Sequence, residues 1–363
     1  MNRAAYTLAV SAAPFSSQVR RAVLQACSTA SDARSLRIAV LEQIARVVDF
    51  DAYAWLLTDP RTSVGTSPVA DVPWLPELPR QIRLKYQTPV NRWTRLKRDP
   101  VALLHNATRG NLAASLVWRE LLSDYGIGDV ASIVFRDRFG CWAFLELWRS
   151  QAQGSFSHDE AAFMADIAPS ITLALRRTQA LTFAAGSPRD DSVPGPVVLL
   201  LSPDLEVRAQ TPETQAYLRL LVPPAEGRTP VPATAYNVGA QLLSVEAQVD
   251  LNQPHARVHI AESLWVTARA ARIADERLPA DSDIAVTMER STPAERADMF
   301  GRVFGLSRRE TELLDHLALG QDTREMARAM FVSENTVQDH LKSIFAKTGT
   351  HNRRTLLAQA VGT

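Results

Sequence analysis

The chain has 363 residues, 46% of them hydrophobic and 22% charged, with 40 Lys plus Arg against 39 Asp plus Glu. This composition excludes a wholly disordered chain and a uniformly basic coat, and the length suggests two or three domains. Two cysteines, Cys27 and Cys141, are too few for a disulfide framework or a four-thiolate zinc site, and the longest aliphatic run, Val197 to Leu201, is far short of the roughly 20 residues a membrane helix needs.

The N-terminus, MNRAAYTLAVSAAPFSS, has one Arg and a weak apolar run, a poor match to a secretion signal. A reducing cytoplasm is therefore the expected compartment, with no membrane partner. Residues 15–50 read as helix, because Leu36, Ile38, Val40, Leu41, Ile44, Val47 and Val48 form a stripe near the 3.6-residue period. AYAWLLTD reads as a strand ending at the Asp59-Pro60 turn, and residues 60–80, with Pro68, Pro73, Pro76 and Pro79, read mostly as loop. Helical patterns return at 77–86 and 111–122. A hairpin follows: VASIVF, a connection over 136–140, then CWAFLELW. Ser157 and Glu160 have capping-box spacing and open a helix to about Thr178, with an interruption expected near Pro169.

Residues 184–196, AAGSPRDDSVPGP, read as a linker. VVLLLSP and LEVRAQ then suggest a second hairpin, followed by a loop with Pro223, Pro224, Pro230 and Pro232. HARVHIA, LWVTARAARI and IAVTME read as strands, giving a small α/β block on an antiparallel sheet. From 291 onward short helices follow one another, with starts at Thr292, Ser307, Asp322 or Thr323, and Ser333.

Within this last stretch a helix ends at Leu319-Gly320. A short helix over 323–330 follows, then the turn Phe331-Val332-Ser333, then a longer helix over 334–348. Met326, Met330, Val332, Val337, Leu341 and Ile344 supply its core, and Ala327 is small where two helices cross. Two helices joined by a three-residue turn form a helix-turn-helix, whose second helix enters the DNA major groove. Its exposed face carries Asn335, Gln338, Asp339 and Lys342, with Lys347, Arg353 and Arg354 further on. Charge alone argues little for DNA here, since 301–363 holds nine Lys or Arg and seven Asp or Glu.

The segment resembles the DNA-binding domain of the LuxR family of bacterial transcription regulators. The residues that carry the resemblance run from Leu306-Ser307 and Arg309-Glu310 through Leu314, Ala318, Gly320, Glu325, Ala327 and Val332-Ser333. They continue through Thr336-Val337, His340-Leu341, Ile344, Lys347 and Gly349 to Asn352-Arg353. The resemblance implies a four-helix domain that binds two-fold-related double-stranded DNA as a homodimer, with RNA polymerase as a further partner. It implies base contacts from Gln338 and Lys342 and backbone proximity for Thr336, Lys347 and Arg353. Thr323, Ser333, Asn335, Asp339 and Arg354 complete the expected interface. Many members carry Lys or Arg where Gln338 stands, and Asp339 places an acid in the groove. Gln suits adenine and Asp accepts from a cytosine amino group.

Residues 15–182 resemble a GAF domain and 196–290 a PAS-type domain, both on element order. The resulting organisation is an N-terminal tail (1–14), a GAF-like sensor (15–182), a linker (183–195), a PAS-like domain (196–290) and a LuxR-type domain (291–363). The fold class is multidomain α+β: two antiparallel-sheet domains followed by an all-α helix-turn-helix domain. Trp55, Trp118, Trp142, Phe144, Glu146 and Trp148 are candidate lining for a small-molecule effector pocket. The alternative for each aromatic is plain core, and an unpaired Glu146 among aromatics would be costly.

Gly126-x-Gly128-x-x-Ala131 fits a dinucleotide pattern but leads into a strand, so no helix N-terminus faces a pyrophosphate. His255 and His259 stand four apart on a strand pattern with no third ligand near, and Cys141 reads as a small buried apolar residue. No G-x-x-x-x-G-K-[ST] or G-x-S-x-G occurs. No catalytic residue, metal or cofactor is expected, and the chain reads as a binding protein and not an enzyme. The competing classes are an enzyme-like sensor that modifies its ligand and a scaffold with a vestigial DNA-binding domain.

Overall fold

In the computed structural model, residues 3–184, 196–221, 231–261, 264–273 and 282–362 are described. The first sheet is antiparallel, with β1 (Ala52–Thr58), β2 (Gly65–Asp71), β3 (Val101–Leu103), β4 (Ile127–Asp137) and β5 (Gly140–Ser150) in the order β2-β1-β5-β4-β3. One face packs on α2 (Ala33–Ile44) and α5 (His158–Leu181), and α1 (Arg3–Thr29) packs on those two helices. The two-residue period of the strands sends Trp55, Ile133, Phe135, Leu145 and Leu147 to that face. Leu56, Val134 and Phe144 point the other way, into a different apolar cluster. On that side α3 (Leu78–Gln87) and α4 (Leu104–Ala107) bring Leu84 and Leu104 against Trp74 and Trp148.

The second sheet holds β6 (Val197–Leu201), β7 (Val207–Gln210), β8 (His255–Ala261), β9 (Leu264–Arg272) and β10 (Ile284–Arg290), in the order β7-β6-β10-β9-β8. Two helices accompany it, α6 (Thr214–Leu221) and α7 (Ala233–Glu246). Helix α7 packs on α3 and β2 of the first block as well as on its own sheet. Buried polar groups fasten the two blocks: the Tyr86 hydroxyl donates to Asn237 Oδ1 at 2.8 Å, and the fully buried Arg92 reaches Asp250 at 2.8 Å.

The C-terminal region is entirely helical: α8 (Pro293–Val303), α9 (Arg308–Ala318), α10 (Thr323–Ala329), α11 (Glu334–Thr348) and α12 (Arg353–Val361). Side-chain caps open each helix, from Thr292, Ser307, Asp322, Ser333 and Asn352. They satisfy amide groups that have no partner within the helix. Its core continues into the two sheet blocks: Phe183 after α5 stacks on Trp265 of β9 with ring centroids 5.3 Å apart and meets Phe300 of α8 edge-on at 5.4 Å.

Several expectations change. The stretch 15–50 is two helices, because the Asp32 side chain accepts from the amides of Arg34 and Ser35 and starts α2 afresh. Helix α1 begins at Arg3, inside the expected tail. Strand β2 lies in the proline-rich stretch read as loop; it is a sheet edge, where Pro68 costs no ladder bond. The 111–122 stretch is two short non-α turns, Leu112–Ala114 and Trp118–Leu122. Helix α5 runs through Pro169 without a break, with that residue on its exposed side. Helices α6 and α7 were not foreseen; α9 to α12 are the four helices that the resemblance implies, and α8 precedes them. The expected linker, apart from its two ends, and Pro223, Pro224 and Pro230 lie outside the described residues.

Candidate nucleic-acid interface and effector cavity

The arrangement of α10 and α11 follows from the turn between them. Phe331 adopts φ 57°, and the Val332 amide donates back to the Ala327 carbonyl at 3.0 Å. The buried face of α11 carries Val337, Leu341 and Ile344. Asn335, Gln338, Asp339 and Lys342 therefore share the solvent side, all exposed. Asp339 and Lys342 pair across 3.1 Å while both remain largely in solvent. Ser333 caps α11, its Oγ accepting from the Thr336 amide at 3.1 Å and lying 2.9 Å from the Thr336 hydroxyl. Arg353 donates to Thr323 Oγ1 at 2.8 Å, which ties the start of α12 to the start of α10. Arg354 is exposed.

Lys347 is placed differently from the phosphate-facing role expected of it. Its Nζ lies 2.6 and 2.8 Å from the two oxygens of Glu310, whose Oε1 also accepts from Ser343 at 2.6 Å. Burial alone would raise the Glu310 carboxyl. Hydrogen bonds from Lys347, Ser343 and Ser307 outweigh it and hold the group at about 2. Glu310 thus closes the cap of α9 and anchors α11 at once. Sequence reading placed Glu310 at the helix start with Ser307 and among the family positions but missed its tie to Lys347, because a pair 37 residues apart leaves no local signal.

The comparisons bear on this region. The family profile described as "Bacterial regulatory proteins, luxR family" matches residues 305–360. The C-terminal domain is a LuxR-family domain. Similar curated proteins include the CsgBAC operon transcriptional regulatory protein of Escherichia coli and the probable csgAB operon transcriptional regulatory protein of Salmonella typhimurium. Each is 46% identical over 48 residues, 13% of this chain and 22% of the relative. An uncharacterized transcriptional regulatory protein of Bacillus subtilis, YhcZ, is 36% identical over 52 residues, 14% of this chain and 24% of that protein. The match thus spans about a fifth of the length of these relatives. Among solved structures, Escherichia coli SdiA aligns over 94% of this chain and 96% of its own, at 13% identity and a TM-score of 0.35.

The first sheet contributes a second feature. Between its outer face, α3 and α7 lies a cavity of about 430 Å³ that includes Leu56, Ile82, Phe144, Glu146, Trp148 and Asn237. Of the six candidate lining residues, Phe144, Glu146 and Trp148 reach it. Trp55 does not: it stands on the helix-covered face, fully buried and stacked on Phe135 at 4.9 Å. Trp142 is also turned away. A bulge in the β4–β5 ladder between Phe135 and Arg136 breaks the alternation, and the Trp142 indole donates to Asp137 at 3.0 Å within the helix-side core. Trp118 donates to the Ile127 carbonyl at 2.8 Å outside this cavity. Glu146 is not an unpaired carboxylate, since it takes Lys85 and the Ser132 hydroxyl. Lys85, Tyr86 and Asn237 were missed because they arrive from α3 and α7, one of them an unforeseen helix. Cys141 is 1% exposed, and burial pushes its thiol up. Among the described residues no helix is long and apolar enough to cross a membrane.

Proposed function

We propose that this protein is a DNA-binding transcription regulator that acts in the cytoplasm as a homodimer and whose DNA binding responds to a small molecule. The observation that carries the reading is the face of α11: Asn335, Gln338, Asp339 and Lys342 stand exposed on one side of a helix inside the stretch that matches the LuxR family. A helix so presented fits the major groove, where Gln338 and Lys342 meet base edges. Ser333, Thr336, Thr323, Arg353 and Arg354 lie along the helix starts, where amide and guanidinium groups meet phosphates. A single such helix reads few base pairs, so two copies reading half-sites about 34–36 Å apart are required for a specific site. Leu173, 58% exposed on α5, supports an interface there.

The two sheet blocks, GAF-like and PAS-like in element order, form the sensor. The cavity between them offers the effector site. An effector shifts DNA binding only by favouring one arrangement of sensor and reader over the other. Selection from randomised DNA with the full-length chain tests the reading. Two-fold-related half-sites are expected, with Gln338→Ala altering the preference at one position in each. Selection of no sequence at all overturns it.

A further inference from the structure

The joint between the first sheet and the C-terminal helices encloses a cleft of about 870 Å³, within the size range of small-molecule sites. The tip of the β4–β5 hairpin, Arg138 and Phe139, forms one wall, and α8 and α9 form the other. The two walls are fixed to each other. The Phe139 ring seats on Gly305, where an added Cβ would stand 3.0 Å from the ring, and the Phe139 carbonyl accepts from Arg302 at 2.9 Å.

The charges along the cleft are sorted by position. Arg302 pairs with Asp298 at 3.0 Å and Arg309 with Glu312 at 2.9 Å, so these four largely cancel. Arg138 and Arg308 remain. They line the cleft from opposite walls, and neither guanidinium has an ion pair or hydrogen bond to another described residue. Arg138 lies against the Phe139 ring at 4.7 Å, and Phe139 on Gly305 brings it to the end of the cleft where α9 begins. The exposed Arg61, Lys97 and Arg98 stand on loops at the same end of the sheet and add to the positive field there. Asp315 lines the cleft two turns further along α9, about 10 Å from Arg308. It has no ion pair to a described residue, and the neighbouring His316 holds a buried Nδ1 without a hydrogen-bond partner.

We propose that this cleft binds a nucleotide whose base carries an amino group. The phosphates sit between Arg138 and Arg308, whose planar forks match phosphate oxygens. The base lies along α9, its amino group donating to Asp315 and a ring nitrogen meeting His316 Nδ1. A nucleotide has the required length and polarity, anionic at one end and donor-bearing at the other. A bare anion leaves Asp315 unused, and an apolar chain meets charged walls. The site is separate from the cavity beneath α7, and the ligand ties the first sheet block directly to the DNA-binding domain.

ADP, UDP and pyrophosphate are titrated into the full-length chain by calorimetry at constant ionic strength, with sulfate as the control anion. ADP is expected to bind most tightly. UDP, whose base lacks an amino group, and pyrophosphate should bind more weakly and alike. Arg138→Ala and Arg308→Ala should each weaken all three about tenfold, the loss of a charge-assisted contact. Both side chains are exposed, so the free variants should melt at the temperature of the parent chain. Asp315→Ala should weaken ADP and leave pyrophosphate unchanged. Bound ADP should slow hydrogen exchange in the hairpin tip and at the start of α9 together. No binding of the three probes, binding no tighter than that of sulfate, or ADP affinity unmoved by both arginine variants overturns the proposal. ADP no tighter than UDP overturns the assignment of the base. Exchange slowed in α9 alone overturns the bridge between the blocks.

Discussion

Arg257 on β8 closes on Asp59 at the end of β1 through two parallel bonds, Nε to Oδ2 at 2.7 Å and Nη2 to Oδ1 at 2.9 Å. The same guanidinium reaches Asp298 of α8 at 2.7 Å and the Glu295 carbonyl at 2.8 Å. One side chain, 3% exposed, thereby joins the first sheet, the second sheet and the helix that leads into the DNA-binding domain. Arg302 adds a bond to the Phe139 carbonyl at 2.9 Å, so the β4–β5 hairpin also grips α8.

Arg257→Ala leaves the Asp59 carboxylate buried and without its cation, and removing one partner of a buried pair costs about 3–5 kcal/mol. The expected outcome is a fall of that size in thermal stability, partly recovered by adding Asp59→Asn. Faster hydrogen exchange in α8 should accompany it. Burial alone would raise Asp59, but Arg257 holds it at about 2, below its ordinary 3.8. A depressed carboxylate stabilises the fold above the unfolded value and loses that contribution as pH falls through the folded one. Stability should therefore drop between roughly pH 4 and pH 2, and Arg257→Ala should flatten that part of the profile.

Lys347 gives a prediction that separates anchoring from phosphate contact. Its charge is committed to Glu310, so Lys347→Ala should lower the stability of the C-terminal domain and leave the salt slope of DNA binding nearly unchanged. Arg354 is exposed, and Arg354→Ala should reduce that slope by about one, the signature of a lost phosphate contact. Binding measured across a salt series decides between them. A slope reduced by about one in Lys347→Ala would mean the lysine leaves Glu310 for the DNA.

The C-terminal domain was legible because its signals are local. Caps at Ser307, Asp322 and Ser333 and a three-residue turn can each be read within a few positions, and helix α11 has the bounds its pattern indicates. What escaped was set by distant contacts. Helix α7 is buried on every side from Ala233 to Ala240, so it shows no amphipathic stripe to find. Strand β2 is an edge strand whose proline reads as loop. A third of the residues lining the cavity come from α3 and α7, and strict alternation along β5 would put Trp142 on the face of Phe144; the bulge that separates them is one no pattern reveals. Asp59 and Arg257, 198 residues apart, meet only in the folded chain.

Asp339 sits one helical turn from Lys342 and pairs with it in solvent. Such exposed pairs contribute at most about 1 kcal/mol, so stability should barely respond to Asp339→Asn. DNA binding should respond. The substitution removes an acid from the groove and releases Lys342, so affinity for unrelated sequences should rise while discrimination at one base pair falls. Competition between a selected site and random DNA reads both effects. Unchanged discrimination would show that Asp339 reads no base.

Phe331 carries the last prediction. It sits at the turn between α10 and α11, 95% exposed, with φ 57°. A bulky residue in the left-handed region costs about 1–2 kcal/mol, and an exposed ring recovers little of that through packing. Asn adopts the same backbone with less strain. Phe331→Asn should therefore raise the stability of the free protein by up to about 1 kcal/mol, measured by thermal or denaturant unfolding. Backbone strain kept at an exposed aromatic points toward function, and the turn lies where the helix-turn-helix approaches the DNA backbone. DNA affinity of Phe331→Asn should accordingly fall even as its stability rises. A variant that is both more stable and equally tight on DNA would show that the ring serves neither the fold nor the interface.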